Sequence, residues 1–204
     1  MSIADVLLEQ TALYRLWMAP YAAKKMIPIM NHNDVWAMRN VLDVGCGPGT
    51  NAEFFEHANY VGIDINPDYI SWARRRYRRE FVVADITTYE FPNQQTFDTV
   101  LVNSFLHHVS TSDARRILAG VARTLGPDGS AHILDLVLPD EPSVARWMAR
   151  HDRGHFPRPV EEWRSLFASI FDIEVFEPYA VPILGVPISQ MVYCKARAKT
   201  PPVG

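Results

Sequence analysis

The segment Val41–Thr50, VLDVGCGPGT, constrains this chain more than any other ten residues. Val41–Val44 is a short apolar strand. Asp43 to Gly49 then spells D-x-G-x-G-x-G, and a helix is expected to start over Asn51–His57. Glycine tolerates positive φ and lets a ligand approach the backbone closely. A helix N-terminus adds free N–H groups that favour negative charge. A glycine-rich turn alone is a weak signal. The dinucleotide pattern G-x-G-x-x-G is not met, because Thr50 stands where its third glycine belongs and the glycine falls one residue early, at Gly49.

The rest of the chain alternates strands with helices. Strands are expected at Tyr60–Ile65, Phe81–Ala84, Thr99–Val102 and Ala131–Val137, with two late ones at Phe171–Phe176 and Ser189–Ala196. Helices are expected at Pro67–Arg79, Thr111–Leu125 (ended by Gly126-Pro127) and Val160–Ile170. Apolar strands alternating with helices give an α/β fold with a parallel sheet covered on both faces. Residues 3–30 read as helical, punctuated by Pro20 and Pro28, and the polar NHND of 31–34 follows. The Pro-rich stretch 178–187 reads as a loop between the last two strands, its apolar residues either covering the core or lining a pocket. The expected organisation is an N-terminal helical lid at 1–40, one α/β domain at 41–197 and a disordered tail at 198–204.

At 204 residues there is room for one domain with a sizeable core. A formal charge of -3 argues against a dedicated nucleic-acid binder. The basic run Arg74–Arg79 reads as a solvated helix face. Two cysteines, Cys46 and Cys194, cannot form a disulfide framework and read as reduced thiols of a cytoplasmic protein. Asp5 and Glu9 interrupt any secretory signal, and no run reaches the roughly 20 apolar residues of a membrane span.

Two carboxylates sharpen the reading. Asp64 ends the second strand, in VGIDIN, where a carboxylate can accept both hydrogens of a ribose diol. Asp85 ends the third, in VVADIT, a position beside an adenine, with Ile86 placed to cover the ring. In this order, VLDVGCGPGT, VGIDIN, VVADIT and FDTVLVNSFLHHV resemble the four motifs of class I S-adenosylmethionine-dependent methyltransferases over residues 41 to 138. LHHV resembles the small-molecule group that includes ubiquinone and menaquinone biosynthesis enzymes. The resemblance implies a Rossmann-like seven-stranded, mostly parallel sheet with helices on both faces and the last strand antiparallel. It implies that Asp43, Gly45, Gly47 and Gly49, with Cys46 between them, hold the methionine part of S-adenosylmethionine. Asp64 with Ile65 would hold the ribose, and Asp85 with Ile86 the adenine. Asn103 and Ser104 would run along the methionine side with Phe105 nearby, leaving S-adenosylhomocysteine as product.

Methyl transfer is an in-line displacement, so much of its catalysis is alignment, helped by a base when the acceptor carries a proton. Histidine suits that role. His107 and His108 follow the fourth strand; one is expected to face the acceptor and the other the helix layer, His108 being slightly favoured as the base. A second cluster, His151 to Arg158, offers His151 or His155 as a base and Arg158 as an anion-binding residue, or is simply a solvated polar loop. The spacing of His151 and His155 suits a metal, but Gly154 and Pro157 disfavour the helix that would align them, and no metal is expected. In the N-terminal segment Tyr14 or Arg15 can touch the donor, although Tyr14, Trp17 and Tyr21 suit lid packing equally.

The DPPY- or NPPF-like motif of nucleobase amino methylation is absent after the fourth strand, where Asn103-Ser104-Phe105-Leu106 stands. Neither cysteine suits carbon methylation of pyrimidines, and the paired-glutamate hairpin of protein arginine methyltransferases is not found. The expectation is therefore a small-molecule acceptor, methylated at oxygen or nitrogen, by a monomer or homodimer. Two rivals stand beside it: a non-catalytic or non-methylating protein that binds the same donor, and a nicotinamide-dependent oxidoreductase, which Thr50 disfavours.

Overall fold

The computed structural model describes residues 23–151, 155–183 and 186–199. Tyr14, Arg15, Trp17 and Tyr21, with the rest of the expected N-terminal lid up to residue 22, lie outside them, as do Asp152–Gly154 and the tail from 200.

Seven strands form one sheet: β1 (Asn40–Val44), β2 (Asn59–Asp64), β3 (Glu80–Val83), β4 (Phe97–Asn103), β5 (Leu125–Leu136), β6 (Phe171–Ile183) and β7 (Val186–Ala198). Their order is β3-β2-β1-β4-β5-β7-β6. The first five run parallel, and β7 is antiparallel to both β5 and β6. This is the expected Rossmann-like sheet with an antiparallel last strand. The order reverses between β1 and β4, which opens a crevice at their carboxyl ends where ligands of such sheets bind.

Local chemistry explains the elements. Val41, Leu42 and Val44 are buried on a central strand that is covered on both faces. Asp98 fixes the start of β1 by accepting from Asn40 N at 2.8 Å. α2 (Pro67–Arg76) begins with Pro67 in its first turn and Asn66 accepting from Asp68 N and Tyr69 N. It stops at Tyr77, which turns extended, so it is shorter than the expected 67–79. α3 (Thr111–Thr124) is capped by Ser110 and buries Ala114, Leu118 and Val121 as one stripe. α5 (Val160–Ala168) buries Trp163, Leu166 and Phe167.

Four expectations are corrected. Thr50–Phe55 is a 3-10 turn rather than the start of an α-helix. Helix α1 (Ile27–His32) runs into the polar stretch read as its end, and Val35–Ala37 adds a 3-10 turn. Residues 144–151, expected to be irregular, form helix α4 (Val144–His151). The Pro-rich stretch 178–187 continues the β6–β7 hairpin, which stays paired to Ile183 and Val186. Its prolines are tolerated because β6 is the edge strand, and β7 has left its β5 partner beyond Met191, so Pro187 breaks no ladder bond on that side. Met26, Ile29 and Met38 pack in one core cluster with Leu101, Leu134, Ala149 and Tyr193, which fixes the described part of the N-terminal region on the sheet.

Candidate donor site at the carboxyl ends of β1 to β4

The glycine loop leaves β1 and is held by backbone bonds: Gly45 N and Cys46 N both donate to Ile63 O, at 2.9 and 3.0 Å. Gly45, Gly47 and Gly49 all have positive φ. Two of them are glycine for different reasons. A Cβ on Gly45 would stand 2.5 Å from the Phe105 ring, so this position is small to let β4's exit pack behind the loop. Gly47 (φ +53) has nothing within 4 Å of where its Cβ would be, so its open side faces the crevice. The second is the signature of a backbone kept bare for a ligand.

Asp43 is fully buried beneath the loop. Its Oδ2 accepts from Tyr60 Oη at 2.5 Å and Asn51 Nδ2 at 3.1 Å, while Oδ1 has no hydrogen-bond partner among the described residues. Burial raises its carboxyl from the ordinary 3.8 to about 7. A buried polar atom without a partner is rare and calls for a reason. From Asn51 the network runs outward: Asn103 Nδ2 donates to Asn51 Oδ1 at 3.2 Å, Ser104 Oγ to Asn103 Oδ1 at 2.8 Å, and Lys25 Nζ to Ser104 Oγ at 3.0 Å. Ser104 holds a positive φ of 60°, a strained conformation for a non-glycine residue and one that clusters at functional sites. Sequence reasoning missed Asn51 and Lys25. A lysine beside an apolar helix reads as a solvated charge, and only its placement over β4 reveals its contact.

Asp64 is half-buried at the end of β2. Its Oδ2 accepts from Gly47 N at 2.9 Å and its Oδ1 from Asn66 N at 2.8 Å. It thus braces the glycine loop while each oxygen keeps a second lone pair for another donor. Ile65 beside it is 72% exposed, an apolar surface at the same rim. Asp85 is exposed and accepts from Thr87 N at 2.8 Å. Two expectations change here. Ile86 is turned into the core against α3 near Gly120, so its side chain does not cover a ring at the rim. Cys46 also points inward, its sulfur packing behind Gly62, and burial pushes its thiol up; only its backbone borders the crevice.

The two histidines after β4 part as expected. His107 is buried, with Nδ1 2.6 Å from Asp135 Oδ1, and Asp135 Oδ2 also accepts from Leu106 N. His108 is exposed and lies against the His107 ring, centroids 4.1 Å apart. Asp135, missed from sequence, had one signal: a lone acid inside the apolar run His132–Leu138. Arg158 is corrected. Rather than an open anion-binding residue it is 3% exposed, donates to Leu106 O, Phe156 O and Val109 O, and lies over the Trp163 ring at 4.7 Å. It pins the His107–His108 turn from beneath. His151, at the end of α4, stacks on Trp147 with centroids 4.4 Å apart, and His155 is exposed. The basic run is only partly a solvated face: Arg74 donates to Phe81 O and Arg79 to Ala58 O, tying α2 to its neighbours.

Residues 41–129 match the family model described as methyltransferase domain. The fatty-acid O-methyltransferase of Mycolicibacterium smegmatis is 39% identical over 98 residues, which is 45% of this chain and 35% of that protein. This chain spans less than half the length of the first curated relatives it matches. Among solved structures, human N-acetylserotonin methyltransferase with S-adenosylmethionine superposes at TM-score 0.70 and 17% identity, over 98% of this chain and 57% of that one. The PH0226 protein of Pyrococcus horikoshii superposes at 0.66 and 20%, over 91% of each. At such identities the superpositions speak for the fold. Together with the motifs in register at one rim and the family match, they show that this chain carries a class I S-adenosylmethionine-dependent methyltransferase domain.

Proposed function

We propose that this chain transfers a methyl group from S-adenosylmethionine to an oxygen of a small-molecule acceptor. The observation that carries the reading is the convergence at the β1/β4 switch point of the bare Gly47 backbone, the buried Asp43 with its unpartnered oxygen, and Asp64 bonded to Gly47 N. These residues fit the donor. Asp43 and the glycine loop would hold its methionine part, Asp64 its ribose diol, and the Asp85 side chain with the Ile86 backbone its adenine. Asn103, Ser104 and Phe105 border the methionine side. When bound, the donor supplies an electrophilic methyl carbon on a sulfonium, an excellent leaving group.

The protein's own work is alignment and, for a protonated acceptor, proton removal. Backbone groups held by Ile63 and Asp64 keep the loop preorganised before any ligand arrives. His108, exposed and set at the rim by the buried His107–Asp135 pair, is placed to accept a proton from an acceptor hydroxyl. Oxygen is favoured over nitrogen by the match to the fatty-acid O-methyltransferase, whose acceptor atom is oxygen by name. His151 and His155 stand farther along the chain and are secondary candidates.

The test incubates the chain with methyl-labelled donor and a panel of carboxylic acids, phenols and amines. Label in an oxygen-bearing product supports the reading. Label only in amines would move the acceptor to nitrogen, and binding of S-adenosylhomocysteine without label in any product would leave a donor-binding protein.

A further inference from the structure

We propose that the outward face of α4 docks onto an anionic lipid surface. Helices of soluble domains turn their large apolar side chains inward. α4 does the reverse. It buries Ala145 and Ala149 and leaves Val144, Trp147 and Met148 exposed, with Trp147 at 59%. At spacings of i, i+3 and i+4 these three form one stripe, and His151 at i+7 continues it by stacking on Trp147. Phe156, also exposed, lies just beyond the end of the helix. Its N–H donates to His107 O at 2.9 Å, so this apolar surface begins beside the His107–His108 turn.

Charge selects the occupant. Arg150, His151 and His155 are exposed around the C-terminal end of the stripe, while Asp140 and Glu141 stand exposed before its N-terminal end. That polarity suits a helix lying with its C-terminal end toward anionic headgroups and its tryptophan at the boundary between headgroup and acyl chain, where an indole's mixed character fits. A second copy of the chain fits less well. Four half-exposed side chains offer on the order of 400 Å², against about 800 Å² per partner in a stable dimer.

The experiment is co-sedimentation of the full chain with phosphatidylcholine vesicles, with and without phosphatidylglycerol, together with tryptophan fluorescence. Binding is expected to phosphatidylglycerol vesicles, with a blue-shifted emission, and to weaken as salt rises. The double variant Trp147→Ala/Met148→Ala should lower the partition about tenfold or more, and Arg150→Glu should lower it only for anionic vesicles. These positions are exposed, so the variants keep the fold and S-adenosylhomocysteine binding, which reports on the donor site separately. No sedimentation, or sedimentation that the double variant leaves unchanged, would overturn the proposal. So would a concentration-dependent dimer broken by the same variant, which would assign the stripe to a second copy.

Discussion

The two halves of the sheet's carboxyl rim are built differently. Over β1 to β3 the loops are short and the site is largely backbone: Gly45 N, Cys46 N and Gly47 N are each held by a bond to Ile63 or Asp64. Over β5 to β7 the rim is built from side chains and added structure: α4, the extended β6–β7 hairpin, and Arg158 reaching back to three carbonyls of the His107–His108 turn and its neighbour. The first half recognises a ligand that is constant across a family. The second is free to vary, because nothing in methyl donation fixes its shape. What donates is therefore encoded in turn geometry, and what accepts in packing.

The sharpest way to break that contrast is Arg158→Ala. Three carbonyls lose a buried charged donor and Trp163 loses its cover, so unfolding stability should fall by about 3–5 kcal/mol. Donor affinity should change little in the protein that remains folded. Denaturant unfolding with calorimetry on the same samples checks this; a large loss of donor affinity at unchanged stability would return Arg158 to an anion-binding role. Next in size is Asp64→Ala. It removes the brace on Gly47 N as well as the proposed ribose contact, and S-adenosylhomocysteine affinity should fall about a hundredfold, on the scale of two charge-assisted bonds.

Gly47→Ala follows. A side chain at φ +53 costs about 1–2 kcal/mol but meets no neighbour, so the protein should fold and bind donor about tenfold less tightly or worse. Gly45→Ala, facing the Phe105 ring, should instead show its main loss in thermal stability. If both variants behaved alike, the distinction between a packing glycine and a ligand-facing one would be wrong.

The smallest effect concerns pH. Asp43 holds its proton up to about 7 in the folded chain, against 3.8 ordinarily. Between those values the folded state binds a proton that the unfolded chain has released. Stability from this group is therefore full below about 4 and is lost as pH rises toward 7, on the order of 2–4 kcal/mol in all. Asp43→Asn should flatten that slope in unfolding curves measured across the window.

The same contrast decides how much was legible in the sequence. The sheet, its antiparallel close and the donor rim were readable because each rests on short-range signals: apolar runs, glycines at fixed spacing, an acid at each strand end. Ile86 was misplaced because strand alternation past the end of β3 turns its side chain inward. The 178–187 stretch was misread because proline marks a loop unless the strand is an edge or has lost a neighbour, a property of the sheet and not of the segment. α4 escaped because its pattern is inverted, with alanines inward. Arg158, Asp135 and Lys25 were hidden or misassigned because their partners lie 29 to 79 residues away at the nearest.

The central claim is that this rim binds S-adenosylmethionine rather than a nicotinamide dinucleotide. Calorimetric titration of the native chain with S-adenosylhomocysteine and, separately, with NAD tests it most directly. Saturable one-to-one heat with S-adenosylhomocysteine and none with NAD is the predicted result; saturable heat with NAD and none with S-adenosylhomocysteine would contradict it.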